Sequence, residues 1–346
     1  MNDVVGEPIL DRRGWRGEDL QDSADWVVAL SAGQLEALNQ LASQLPSSSD
    51  QWLHADYQSE TPSEIQVLVN QAKEELAFGR GFTLIRGAQS SDVEQLRRVF
   101  WLLGLGVGDP VMQNAKGEVL SIVADRFAGA ERSRDTRGYE SNDELRFHCD
   151  GGDCIAMCCI RQAPQGGMNG LVSLFSIYNE MLVNHPEHLD VLKRGYALYS
   201  RREKGDAEST KNLGKVQQNR IPVFAWHEGR MSTWLNIQLA EIAAEVSGEG
   251  FSAAERAALT CVEAVANQSD MQLTFVQQPG DILFINNLAV MHRRDKFFDS
   301  ANPNEKRSLY RMWINLRNGQ PVVPAHAGLR RGIRGLSPTI ASLQAS

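Results

Sequence analysis

At 346 residues, with 42% hydrophobic and 23% charged content, the chain has room for one large or two modest domains and an ordinary globular composition. A net charge of −8 argues against a nucleic-acid surface, which needs a basic patch to neutralise phosphates. No apolar run approaches the roughly 20 residues of a membrane helix, and the opening MNDVVGEPILDRRGW lacks the basic-then-apolar pattern of a secretory signal. Cys149, Cys154, Cys158, Cys159 and Cys261 make an odd count, three of them crowded in CIAMCCI. That pattern fits buried reduced thiols and a cytoplasmic protein better than a disulfide framework, and it lacks a second pair at zinc-finger spacing.

In chain order, the first 25 residues are polar and Gly/Asp-rich and read as a loosely held arm. Thr61 and Glu64, flanking Pro62, form a capping-box pattern before Ile65, Leu68, Val69, Ala72 and Leu76, which share a helical face. GFTLIRG, bounded by glycines, reads as a strand. Ser91 and Glu94 open a second helix carrying Val93, Leu96, Val99, Phe100 and Leu103. From about residue 118 short strands dominate: EVLSIVAD, CIAMCCIR, LVSLFS, IPVFAW, MQLTFV, DILFIN and RSLYRMWINL. Ser252 and Glu255 open a third helix, to about Asn267. Many short strands with turns between them point to an antiparallel barrel or jelly roll, mainly β with flanking helices. The polar stretch 203–220 interrupts this rhythm and reads as a surface loop of the kind that serves as a lid.

The chemistry lies in residues far apart in the chain. His148 and Asp150 stand two apart in LRFHCDGGD, so on an extended strand they share a face while Cys149 points away. His292 follows the apolar strand DILFIN, which can deliver a third ligand from across a barrel. Two imidazoles and one carboxylate form the facial triad that holds non-haem Fe(II) and leaves positions open for substrate and O2. The bland readings are a chance H-x-D pair and a hydrogen-bonded core histidine. His185 and His188 read as surface residues. In the closing strand Arg307, Leu309, Arg311 and Trp313 share one face, and Ser308, Tyr310, Met312 and Ile314 the other. Two arginines on an inward face need anionic partners. Standing roughly 13 Å apart, they can serve different parts of one pocket; the plainer alternative is a salt-bridged edge. A downstream arginine suits the bidentate clamp for a carboxylate, here that of 2-oxoglutarate. A zinc hydrolase is disfavoured because no H-E-x-x-H arrangement is present.

Residues 60–325 resemble the taurine dioxygenase (TauD/TfdA-like, clavaminate-synthase-like) branch of the Fe(II)/2-oxoglutarate oxygenases. The resemblance is carried by RGYESNDELRFHCDGGDCIAMCCIRQAPQGG, with its H-x-D pair and Ala-Pro-x-Gly-Gly turn, by LVSLFSIYNEML, by PGDILFINNLAVMHRRDKFFD, with His292, Arg294, Phe297 and Asp299 in H-x-R-x-x-F-x-D, and by RSLYRMWINL. It implies a double-stranded β-helix core, iron on His148, Asp150 and His292, and the distal carboxylate of 2-oxoglutarate on Arg311. It further implies O2-dependent conversion of 2-oxoglutarate to succinate and CO2, coupled to hydroxylation, desaturation or ring formation on a small molecule. Asp150 argues against halogenation, since family halogenases lack that carboxylate. Asn169 stands where many relatives have Thr or Ser, and its amide can donate the same cosubstrate bond. Arg307 is expected to face the acidic group of the substrate, an amino acid or other small acid, with Gln113 and Asn142 as further pocket residues. The domain reading is an N-terminal arm and helix packed on the core over 1–60, the oxygenase domain over 61–325 and a C-terminal tail over 326–346. A homo-oligomer is compatible with the sequence. The alternative class is a non-catalytic barrel that binds a ligand; loss of a ligand residue or of the clamp would mark it, and all four are present.

Overall fold

The two-residue alternation of Ser308–Leu316 organises the molecule. In the computed structural model, which describes residues 3–54, 61–90, 92–127, 133–201, 214–317, 319–333 and 338–341, this strand lies inside an eight-stranded sheet. It pairs antiparallel with Cys154–Arg161 on one side and with Glu118–Val123 and Gly108–Val111 on the other. Cys154–Arg161 continues to Ile282–Asn286, which continues to Phe82–Arg86. One face of this sheet, with Ala156, Cys158, Phe284, Tyr310, Met312 and Ile314, is buried against the helices Ala32–Ser43, Ser63–Phe78 and Val93–Val107. The other face carries Ile155, Met157, Leu309, Arg311 and Trp313 and lines a cavity.

Across that cavity stands a four-stranded antiparallel sheet in the order Gln272–Phe275, Asn169–Ser173, Val290–Arg294, Leu145–His148. Val172 and Met291 on its outer face pack in one core with Phe175, Ile177, Ala258 and Val262 of the helices Leu174–Asn184 and Ala253–Ala266. Two sheets face to face, with helices outside both, form the expected double-stranded β-helix. Among the described residues no helix is long and apolar enough to cross a membrane.

Several local expectations change. The Ser252–Glu255 capping box forms, on helix Ala253–Ala266. Helix Ser63–Phe78 instead begins after Pro62 without a side-chain cap. Asp92 caps Val93–Val107 by accepting from the Glu94 N–H, while Ser91 lies outside the described residues. LVSLFS is half strand: Ser173 ends it, its hydroxyl accepting from the Phe175 and Ser176 N–H groups to start a helix. The N-terminal arm is not loose. Ile9, Trp15, Leu20 and Trp26 are buried, and the Trp15 indole donates to the Arg80 carbonyl at 2.8 Å. Of the 203–220 loop, residues up to 213 lie outside the described set, and Lys215–Val216 forms a short strand against Tyr199–Ser200. At the other end His326 is fully buried and Thr339–Ile340 adds a strand parallel to Glu118–Val123.

Candidate active site

Strand pairing brings the triad together. His148 and His292 are direct partners in antiparallel register, and their rings lie 4.3 Å apart between centroids. Asp150 follows on the turn after His148, its Oδ1 3.9 Å from His148 Nε2. Ligand atoms of all three residues lie within 4.8 Å of one another. His148 Nδ1 is 2.8 Å from the Arg146 carbonyl oxygen, so Nδ1–H donates there and Nε2 keeps a lone pair toward the site. His292 is pushed down to about 3, by burial first and the neighbouring His148 second, so its ring stays neutral. Its buried Nδ1 has no hydrogen-bond partner. Burial alone would raise the Asp150 pKa. Arg311 foremost, then the two histidines and the Trp313 indole, hold it below the usual carboxylate range. A neutral, unsatisfied nitrogen beside an ionised carboxylate is the donor chemistry a divalent transition metal requires.

Asp150 is tied down from three directions, two of them through its backbone. Its N–H donates to Asn287 Oδ1 at 3.1 Å, its carbonyl accepts from the Trp234 indole at 3.0 Å, and its Oδ2 accepts from the Trp313 indole at 3.2 Å. Trp313 reaches it because Gly151 has no side chain; a Cβ there would stand 2.6 Å from the indole ring. Cys149 points into the core as expected, its thiol pushed up to about 12 by burial.

Arg311 donates from Nη1 to Asp150 Oδ2 at 3.4 Å and from Nε to Gln113 Oε1 at 2.7 Å, with Tyr139 stacked 4.0 Å from its guanidinium carbon. Its Nη2 is buried without a partner. Gln113 is therefore not a pocket-lining residue. It is fully buried and spends its amide N–H groups on the Val119 and Arg311 carbonyls while its oxygen orients the guanidinium. Asn142 is likewise displaced from the expected role: it lies outside the cavity wall and its amide donates to the Phe297 carbonyl at 3.3 Å.

Arg307 and Asn169 form a second polar group. Arg307 precedes the closing strand, whose register shifts between Ser308 and Leu309. Asp299 accepts from its N–H at 2.8 Å and Gln162 from its Nε at 2.9 Å, and Phe297 lies under the guanidinium. Its Nη1 is buried and unpartnered, as is Asn169 Nδ2. The Gly-Gly turn makes room for this arrangement. Gly166 and Gly167 both take positive φ, and a Cβ on Gly167 would stand 3.2 Å from Arg307 Nε. Asn169 shares the inner face with Leu171, the register partner of His292. The cavity that these residues share holds about 460 Å³. Trp234, Asn287 and Tyr139 were not expected here. Trp234 arrives from a segment outside the quoted motifs, whereas Tyr139 and Asn287 stand within segments that carry the resemblance, and Trp313 within R-x-x-x-R-x-W.

A family model described as taurine catabolism dioxygenase TauD, TfdA family matches residues 42–313. FR-33289 synthase of Streptomyces rubellomurinus is 26% identical over 339 residues, covering 96% of this chain and 98% of that protein. Taurine hydroxylase-like protein SAT17 of Stachybotrys chartarum is 25% identical, covering 88% of this chain and 79% of its own. Among solved structures, asparagine oxygenase with Fe(II), 3-hydroxyasparagine and succinate shares the fold at a TM-score of 0.65 and 15% identity, over 84% of this chain and 93% of that one. The oxygenase OrfP with iron and alpha-ketoglutaric acid does so at 0.61 and 16%, over 84% and 94%.

Proposed function

Because this chain belongs to the TauD, TfdA family, we propose that His148, Asp150 and His292 hold its iron and that Arg307 with Asn169 holds the far carboxylate of 2-oxoglutarate. The chain is a 2-oxoglutarate-dependent non-haem iron dioxygenase acting on a small molecule. The observation that supports the ligand assignment is the paired register of His148 and His292 beside one ionised carboxylate, with a buried His292 ring nitrogen left unsatisfied. Bound there, iron with 2-oxoglutarate and O2 supplies the oxidising power that functionalises a substrate C–H bond as the cosubstrate becomes succinate and CO2.

The chain's own residues fix the geometry. The Arg146 carbonyl selects the His148 tautomer, and Trp313 and Arg311 orient the Asp150 carboxylate. The assignment of Arg307 departs from the expectation that Arg311 is the clamp. Arg311 already touches Asp150, so an anion on it would sit beside the metal. The far carboxylate stands a three-carbon stem beyond the chelating end. Arg307 and Asn169, with uncommitted buried donors, fit that place, and Arg311 then faces the open positions where substrate approaches. Five free thiols among the described residues support a cytoplasmic setting. Asparagine oxygenase is seen with 3-hydroxyasparagine and OrfP with L-Arg; an amino acid or other small acid is the substrate class proposed here.

Anaerobic titration of 2-oxoglutarate into the Fe(II) protein tests the division of roles. Arg307→Ala should weaken binding about a hundredfold, as expected for loss of a charge-assisted bidentate contact. Asn169→Ala should weaken it roughly fivefold to tenfold, the value of one neutral hydrogen bond. Arg311→Ala should leave cosubstrate affinity nearly intact while reducing product formation. The reverse pattern returns the clamp to Arg311.

A further inference from the structure

The cavity wall contains several arginines, and they differ in how their charge is balanced. Arg146 is held by Glu241 and Glu263, and Arg293 by Asp295. Arg134 lies 3.8 Å from Glu245. Arg201 differs from these. Its Nη1 donates to the Arg134 and Thr136 carbonyls at 2.6 and 2.7 Å, and its Nη2 to Gln238 Oε1 at 2.8 Å. All three acceptors are neutral, and among the described residues no carboxylate lies within ion-pair distance. A guanidinium has five N–H donors, so two remain uncommitted on a side chain that lines the cavity. Its pKa is lowered to about 10, by burial first and by the charge of Arg137 second; Asp135, Tyr199 and Asp150 act in the opposite direction. A rigid, part-buried cation with two spare donors, close enough to feel the Asp150 charge, is built to receive an anion. Its surroundings share no residue with those of Arg307, which Gln162, Phe297 and Asp299 enclose.

We propose that Arg201 binds an anionic group of the primary substrate — carboxylate, sulfonate or phosphonate — and so determines specificity for acids. This rests on the oxygenase reading above and adds a recognition point to it. The three chemistries share a bidentate, charge-assisted contact to a guanidinium edge. Because the carbonyl and amide bonds fix the guanidinium before substrate arrives, little side-chain entropy is lost on binding.

The test uses the full chain with Fe(II) and 2-oxoglutarate. Succinate formation is measured with a panel of the common amino acids, taurine and 2-aminoethylphosphonate, each beside its uncharged amide, alcohol or ester counterpart. In the wild type the strongest stimulation is expected from an acid, and the member that responds identifies which anion is used. Arg201→Gln should raise KM for that acid by about tenfold to a hundredfold, with kcat within threefold, and should abolish the preference for acid over neutral counterpart. Arg201→Lys should keep most of the preference. Calorimetric titration of the same acid into the metal-free protein should show the same loss without turnover. A loop-holding role alone would lower the response to acid and neutral compound equally, and that result overturns the proposal. So does stimulation by uncharged compounds only, or by no acid of the panel. Anaerobic 2-oxoglutarate binding is the fold control: if Arg201→Gln fails it, the acid preference of Arg201→Lys carries the test. If the wild type itself neither binds 2-oxoglutarate nor forms succinate, the oxygenase assignment has failed instead.

Discussion

On one side of Ser308–Leu316, Tyr310, Met312 and Ile314 are at most 1% exposed and fill the space between sheet and helices beside Phe100 and Phe284. On the other side, at the alternate positions, Arg311 and Trp313 carry nitrogens aimed at Asp150, and Arg311 retains one with no partner at all. The first set gains from removal from water. The second keeps desolvated polar atoms poised for something else, at a cost that the packing behind them must offset. Stability and chemistry therefore occupy successive residues of the same strand and should respond to substitution separately.

The largest effect that would break this separation concerns the triad. His292→Ala, Asp150→Ala and His148→Ala should each abolish succinate formation while leaving thermal unfolding of the metal-free protein nearly unchanged. Wild-type turnover in any one of them removes that residue from the ligand set. On the opposite face, Met312→Ala should cost about 2–5 kcal/mol through lost burial and a residual cavity, read by urea unfolding. Cosubstrate affinity below the new melting point should stay within a factor of two to three; a larger loss would show that the two faces are coupled.

Acid unfolding sharpens the same contrast away from the site. His326 is fully buried between Ser232 and the Pro222 carbonyl, and burial pushes it down to about 4. An ordinary histidine titrates near 6.5, so between these values the unfolded chain binds a proton that the folded chain refuses. Stability should be full above about pH 6.5 and fall as pH drops toward 4, by on the order of 3 kcal/mol from this residue. His326→Gln should flatten the slope of unfolding free energy against pH by one proton in that window; an unchanged slope assigns the acid sensitivity elsewhere. The smallest effect expected is that of Gln113→Ala. Losing the bond that orients Arg311 should reduce kcat/KM by roughly tenfold, as for one buried hydrogen bond to a charged group, with 2-oxoglutarate affinity retained.

What could be read in the chain follows from how each residue reaches the site. The two-residue spacing of His148 and Asp150 is visible in any copy of the sequence, although the strand ends at His148 and the turn after it, not the strand, delivers Asp150. The alternation of RSLYRMWINL likewise announced which residues face inward. Gln113 was legible only as a polar residue in the right half of the chain, since its bond to Arg311 spans 198 positions. Trp234 and Asn287 grip the Asp150 backbone from 84 and 137 positions away, and no local pattern encodes that. The roles proposed for the two arginines rest on a register shift and on the space above Gly167, neither of which periodicity reveals. A helix was expected within residues 1–60, but the bounds of Ala32–Ser43 were not, although Ser31 and Gln34 form a reciprocal cap. The surrounding polarity masked a weak apolar stripe of Ala37, Leu38 and Ala42.

Among the described residues, the strand that carries His148 lies at the rim of its sheet, with Val290–Arg294 as its one strand neighbour there. Such rims invite a second chain to add on, and proteins blunt them with short strands and fixed charge. Leu145–His148 has four residues. Its Arg146 is gripped by Glu241 and Glu263 from two flanking helices, and the Asn236 bridge to His148 closes its end. The residue whose carbonyl sets the imidazole tautomer thus also guards the rim with its side chain. Resistance to strand-to-strand aggregation and correct presentation of the histidine are inherited together, so a chain that loses the Glu241 and Glu263 contacts should betray itself by precipitation on storage as well as by lost activity.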